Sequence, residues 1–182
     1  VEKFAWAGHL GLSQLRAVVD IASAVRSCLI FTNTRSQAEL WHQAVSAVWP
    51  HAPESLAVHH GSLDRELRQR IEDGLRDGSI RCVVATSSLD LGVDFAPVDQ
   101  VIQIGSPRGV ARLLQRAGRS NPRPGESSHI VCVPTMSMEL AEIAAIRRAL
   151  ICGDVESRTP PLLCADVLAQ HLATMAIANG FT

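Results

Sequence analysis

Apolar residues recur along the chain in two rhythms that take turns. Residues 9–26 carry Leu15, Val18, Val19, Ala22 and Val25 at helical spacing. Residues 27–32 (SCLIFT) then form a short apolar run, as expected of a strand buried on both faces. After a loop at 33–36, a second helix is predicted, with Ser36 as its cap, Ala38, Trp41, Val45 and Val48 inward, and Pro50 as its stop. A brief strand is predicted at 55–59 and a loop at 60–62. The helix predicted over 64–77 sets Leu63, Leu67, Ile71 and Leu75 four residues apart before a stop at Gly78. Further buried strands are expected at 81–86 (RCVVAT), 99–104 (DQVIQI) and 129–133. A turn at 105–109 and a helix to Arg119 fall between the last two. A helix over 138–151 follows, with Leu140, Ile143, Ile146 and Leu150 inward. Strands alternating with helices predict an α/β fold, a parallel sheet covered by helices on both faces.

The pattern also divides the chain. Residues 1–8 read as a connector and 9–152 as the main domain. Residues 153–161, with three charges and the pair Pro160–Pro161, read as a linker. Residues 162–181 read as one more amphipathic helix, and residues 162–182 are expected to open a following domain that is cut short. A start at Val1 rather than Met is expected of a piece of a longer protein. No internal repeat or low-complexity tract interrupts the pattern.

Composition changes this picture only by exclusion. Apolar residues make up 47% of the 182 positions, enough for a real core. No apolar run reaches the length of a membrane span, and the first residues do not form a signal peptide. The net charge of −1 leaves no global basic field to draw the chain onto nucleic acid, so any such contact is local. Lys3 is the only lysine, the other basic residues all being arginine, and no GxxxxGK[S/T] phosphate loop is present. The five cysteines show no CxxC spacing and the seven histidines no ligand spacing. We therefore expect no metal site, and small buried thiols in a reducing cytosol.

Candidate chemistry gathers at the carboxyl ends of the strands, where open parallel sheets bind ligands. The turns at 33–35, 60–62, 86–88 and 105–106 carry Asn, Thr, His, Ser and Gly on one edge. Turn chemistry alone also selects those residues. Thr86 and Ser87 offer hydroxyls to phosphodiester oxygens. Asp94, beyond Gly92, is a carboxylate that can accept from a ribose hydroxyl. The competing reading of this stretch is a helix cap, with Asp90 inside the turn. Gln115, Arg116 and Arg119 lie within about a turn and a half of helix and can point together at one target. Arginine suits phosphoryl oxygens because it is planar, permanently charged and bidentate. The alternative is a solvated basic face. No Asp-Glu pair for Mg²⁺ and no Ser/His/Asp nucleophile arrangement is legible, so the chain offers arginines for phosphates without a phosphate cradle.

These motifs, in this order, resemble the second RecA-like domain of superfamily 2 helicases. Residues 29–35 (LIFTNTR) are similar to motif IV and 59–62 (HHGS) to the nucleic-acid loop that follows it. Residues 84–94 (VATSSLDLGVD) are similar to motif V and 115–119 (QRAGR) to motif VI. Residues 85–92 (ATSSLDLG), 103–107 (QIGSP) and 115–121 (QRAGRSN) narrow the resemblance to large helicase-related (Lhr) proteins. Residues 6–11 (WAGHLG) and 166–171 (DVLAQH) extend it to bacterial ligase-associated DEXH-box helicases, in which a winged-helix domain comes next.

The resemblance implies a three-layer RecA-like sheet and the second motor domain of an ATP-dependent helicase, translocating 3′-to-5′ on DNA in DNA repair. ATP and Mg²⁺ would be held mainly by a first domain outside these residues. Arg119 would be the arginine finger. Gln115 and Arg116 would line the same cleft, and Asp94 would face the ribose with Gly92 allowing close approach. Thr34, Arg35, His60, Gly61, Ser62, Thr86 and Ser87 would grip a strand. The implied partners are single-stranded DNA (RNA or a hybrid being the other candidates), the N-terminal RecA-like domain, and ligase or nuclease repair proteins. The implied location is the bacterial cytoplasm at the nucleoid. One position departs from the family pattern: the second arginine expected three residues past the finger is Pro122, with Arg123 one step later. A non-catalytic nucleic-acid-binding or scaffold domain of the same fold is the alternative. A dinucleotide-cofactor enzyme is disfavoured, since no GxGxxG fingerprint is present.

Overall fold

The computed structural model describes residues 10–90, 97–120, 128–156 and 163–178. The helices are α1 (Leu15–Ser23), α2 (Arg35–Ser46), α3 (Arg65–Asp77), α4 (Val110–Ala117), α5 (Ser137–Cys152) and α6 (Ala165–Ala178). The strands are β1 (Cys28–Phe31), β2 (Leu56–His59), β3 (Cys82–Ala85), β4 (Gln100–Ile104) and β5 (Ile130–Val133). All strand pairs are parallel, in the order β2-β3-β1-β4-β5.

The alternation of side chains across a strand divides the core in two. On one face Cys28, Ile30, Cys82, Val84, Ile102 and Ile104 pack under α1 and α2, through Val18, Val19, Ala22, Ala38, Trp41 and Val45. On the other, Leu29, Phe31, Val83, Ala85 and Val101 pack against Ile71 and Leu75 of α3. Helix α4 lies against α5 through Val110, Leu113 and Ile146. The predicted three-layer α/β architecture is therefore present. Strand order also matters for the site. The chain leaves β1 toward β2 on one side and β4 toward β5 on the other, so a crevice opens between the adjacent ends of β1 and β4.

Helix ends follow from local chemistry. Asp64 caps α3 by accepting from the Leu67 amide at 2.8 Å, and Gly78 ends that helix at φ 81, a left-handed conformation suited to glycine. The predicted Ser36 cap is corrected: Thr34 is the cap, and its hydroxyl accepts from the Gln37 amide at 3.2 Å. Thr34 is extended at φ −136, so the helix starts one residue later, at Arg35. Val48, expected inside, is 51% exposed because α2 ends at Ser46 and leaves it beyond the helix. In α5 only Ile146 of the four predicted inward residues is buried. Leu140 and Leu150 face outward, because α5 touches the body along one narrow stripe and spends Glu139 on the strand ends. Helix α6 buries none of its side chains.

Trp41 is fully buried, and its indole N–H donates to the Leu10 carbonyl at 3.0 Å. Trp41→Ala is expected to cost about 3–5 kcal/mol through the cavity it leaves. Val48→Ala should stay within about 0.5 kcal/mol. Urea unfolding of the two variants checks both, and a large Val48 effect would contradict the exposed placement.

Candidate functional site

Parallel pairing puts every strand's carboxyl end on one edge, and that edge is cross-linked by polar groups. The Asn33 amide donates to the Ser106 carbonyl at 2.7 Å, bridging the β1–β4 crevice. Thr32 is buried, and its hydroxyl donates to the Ala85 carbonyl at 3.3 Å, tying β1 to β3. Ser106 and Thr135, after β4 and β5, give their backbone N–H groups to the two oxygens of Glu139 at 3.0 and 2.6 Å. The Ser106 hydroxyl donates to Glu142. Gly105, at φ 74, keeps this junction open; a Cβ there would lie 3.3 Å from the Glu139 carboxylate.

On the β2 side, His59 is buried between two elements. Its Nδ1 lies 2.7 Å from the Ser88 hydroxyl and its Nε2 lies 3.2 Å from Glu72 of α3. Burial holds the His59 pKa below its ordinary value, with the Glu72 carboxylate pulling the other way. The neighbouring His60 is also buried, and its Nε2 lies 3.4 Å from Glu39. Glu39 accepts from Arg35 Nε at 2.9 Å, and this bond foremost lowers the Glu39 pKa. Gly61, Ser62, Thr34, Arg35 and Ser87 are exposed along this rim, with Thr86 half-buried among them. The predicted rim residues thus share one edge, and His60 is the one turned inward.

Of the three side chains expected to converge on α4, Arg116 and Arg119 meet at Asp90, and Gln115 points elsewhere. Gln115 is exposed, Arg116 is 1% exposed and Arg119 is half-buried, lying past the helix end in the turn closed by its N–H to the Arg116 carbonyl. Positions 115 and 116 are successive in sequence and so point about 100° apart around a helix. The Arg116 guanidinium lies over the Phe31 ring at 4.7 Å and pairs with Asp90 through Nε at 2.9 Å and Nη2 at 3.3 Å. Its Nη1 donates to the Gln103 side chain. Phe31 and Gln103 are register partners on β1 and β4, so one spot on the sheet face supplies both contacts. Arg119 Nη2 donates to the Asp90 carbonyl at 2.9 Å. Asp90 thus holds both arginines, by its side chain and by its backbone.

Asp90, Gln103 and Phe31 were not among the sequence candidates. Gln103 did carry a signal, as a glutamine set between Ile102 and Ile104 in an apolar run. Gly92, Asp94, Pro122 and Arg123 lie outside the described residues. Among the described residues no group of three or more His, Cys, Asp or Glu side chains could hold a metal ion, and no helix is long and apolar enough to cross a membrane.

Residues 12–121 match the family model described as the helicase conserved C-terminal domain. The chain is 37% identical over 162 residues to the ATP-dependent helicase Lhr-Core of Methanothermobacter thermautotrophicus, a match covering 88% of this chain and 19% of that protein. It superposes on the Mycobacterium smegmatis helicase Lhr bound to ssDNA and AMP-PNP with a TM-score of 0.81 and 33% identity, covering 98% of this chain and 25% of that one. The C-terminal domain of the DEAD-box protein Dbp5 shares the fold alone, with a TM-score of 0.64 at 18% identity, covering 96% of this chain and 97% of that one. The chain therefore spans about a fifth of its curated Lhr-Core relative.

Removing the Arg116 side chain leaves Asp90 buried with the more distant Arg112, 4.0 Å away, as its remaining cation among the described residues. Arg116→Ala should cost about 3–5 kcal/mol in urea unfolding, whereas Arg35→Ala, which breaks an exposed pair with Glu39, should leave the unfolding midpoint nearly unchanged. The lowered pKa of His59 has a signed consequence. Between its folded and unfolded pKa the unfolded chain binds the extra proton, so stability is full above about pH 6.5 and falls as the pH drops toward the lowered value. His59→Gln should flatten that part of the profile of unfolding free energy against pH.

Proposed function

The chain belongs to the helicase conserved C-terminal domain family, and from that premise we propose that it is the second RecA-like motor domain of an Lhr-type ATP-dependent helicase. The observation that carries the reading is the double hold of Asp90 on Arg116 and Arg119. Asp90 closes the turn that begins at Thr86 and Ser87, the hydroxyls proposed to meet the strand. A pull on that turn reaches Arg119 through two hydrogen bonds. This is the physical link a motor needs between the strand it grips and the nucleotide it hydrolyses.

In this reading ATP sits between this domain and a preceding RecA-like domain that supplies the phosphate loop and the Mg²⁺ carboxylates. The part of this domain in that cleft is electrostatic. Arg119 meets the γ-phosphoryl group and stabilises the charge spread over its oxygens during transfer. Arg116 acts through Asp90 and the sheet, fixing the end of α4, and Gln115 faces the cleft from the exposed side. Gly92 and Asp94 are assigned to the ribose on the family resemblance. Thr34, Arg35, Gly61, Ser62, Thr86 and Ser87 hold the backbone of single-stranded DNA through hydroxyls, backbone N–H groups and one guanidinium, with His60 bracing the loop from inside. RNA or a hybrid offers the same phosphates. Translocation 3′-to-5′, a role in DNA repair, ligase or nuclease partners, and a place at the nucleoid rest on the same resemblance.

In the full-length protein, Arg119→Ala should lower DNA-stimulated ATP turnover by roughly 10³–10⁵ while leaving single-strand affinity within a few-fold. Arg119→Lys should restore little, since an ammonium lacks the planar fork. Undiminished turnover in Arg119→Ala would instead favour a non-catalytic scaffold of this fold.

A further inference from the structure

The arginine helix begins without a cap of its own. Its N-cap position is Gly109, which has no side chain to offer, and the first N–H groups of any helix need acceptors. The acceptor comes from 46 positions further along the chain. The two oxygens of Glu156 take the Val110 and Ala111 amides at 2.6 and 2.9 Å. Gly109 is shaped for this approach: it stands at φ 134, and a Cβ there would sit 2.8 Å from Glu156 Oε1. The route of the chain is also built. Helix α5 packs on α4 through Ile146 and ends at Gly153, whose φ of 73 reverses the backbone. The Asp154 N–H closes that reversal on the Ala149 carbonyl at 2.9 Å, and Glu156 follows two residues later.

We propose that Glu156 is a positioning residue for Arg119. It caps α4 with a carboxylate placed at the positive end of the helix dipole, and so sets where the other end of that short helix delivers the arginine turn. Helix α4 has only eight residues, so a shift at Val110 is carried to Ala117 with little bending between. Glu156 lies past the end of α5, in the stretch leading toward α6. The cap therefore makes the arginine turn responsive to where the chain goes after α5. The inference rests on the reading of Arg119 as the group that meets the γ-phosphoryl.

Two measurements on the full-length protein test it. By amide hydrogen exchange, Glu156→Ala should expose Val110 and Ala111, with exchange faster by about tenfold. Glu156→Gln, which keeps one acceptor oxygen, should do so less. In DNA-stimulated ATP hydrolysis, Glu156→Ala should lower kcat by about tenfold, within the range that a lost cap covers, and move the KM for ATP by less than about twofold. Gly109→Ala, which pushes the carboxylate away from the inside, should reproduce the kcat loss with Glu156 intact. In an Arg119→Ala background the Glu156→Ala change should alter kcat by less than about twofold, since there is no longer an arginine to place. Unchanged exchange at Val110 and Ala111 overturns the cap. An equal kcat loss in both backgrounds, or a loss confined to thermal stability, overturns the positioning role. If Arg119→Ala leaves turnover intact, the arginine-finger reading fails and the positioning role with it, while the exchange result still decides the cap.

Discussion

A permanent charge buried on the face of a β-sheet is the constraint around which this site is arranged. Arg116 is 1% exposed, and an ion withdrawn that far from water costs several kcal/mol unless it is fully paired. The surroundings supply that pairing from three parts of the chain. Asp90 contributes a carboxylate from the turn after β3, Gln103 an amide oxygen from β4, and Phe31 the face of a ring from β1. Each contact is also a restraint on its own element. The turn after β3 is drawn onto α4, and α4 is pinned to the seam between β1 and β4. Arg119 then has a defined place, because the residue that neutralises Arg116 also holds Arg119 by its carbonyl.

The acidic residues at the other end of α4 complete that placement. Glu139 gathers the N–H groups after β4 and β5, Glu142 takes the Ser106 hydroxyl, and Glu156 takes the first amides of α4. Carboxylates suit these positions because they accept several N–H donors at once and strengthen each bond with their charge. The strand ends are thereby held as one rim by polar groups. For a domain proposed to move as a body against a partner, that stiffness lets a contact at one loop be felt at another. His59 extends the principle to β2, joining the Ser88 turn to Glu72 of α3 through a buried ring.

Much of this was legible in the sequence for a simple reason. Burial on both faces demands apolar runs, and helices demand a stripe, so the rhythm of Val, Ile, Leu and Ala residues named the five strands and the helices between them. The Asp64 and Gly78 boundaries of α3 were readable because the helix-capping group and the left-handed stop are local to the chain. Errors arose where a distant partner decided the outcome. Leu140 and Leu150 satisfy a helical stripe, yet α5 has too narrow a contact to bury them. Ser36 and Thr34 are both competent caps, and the extended backbone after β1 selects Thr34.

The functional rim divides in the same way. The sequence by itself determined which loops share an edge, because parallel strands must end together, and it determined the residue types those loops present. Its composition also left arginines, rather than a phosphate-loop lysine, as the candidate groups for phosphates. Only the tertiary structure decided that Arg116 is buried and Arg119 half-buried. Helical spacing fixes the angle between two side chains but says nothing of which angle faces the sheet. That choice was made by Asp90 and Gln103, 26 and 13 positions away from Arg116, whose burial made the charge affordable on the inward side. The cap on α4 belongs to the same class. No local pattern around Gly109 announces an acceptor, since the carboxylate arrives through the packing of α5 on α4 and the reversal at Gly153.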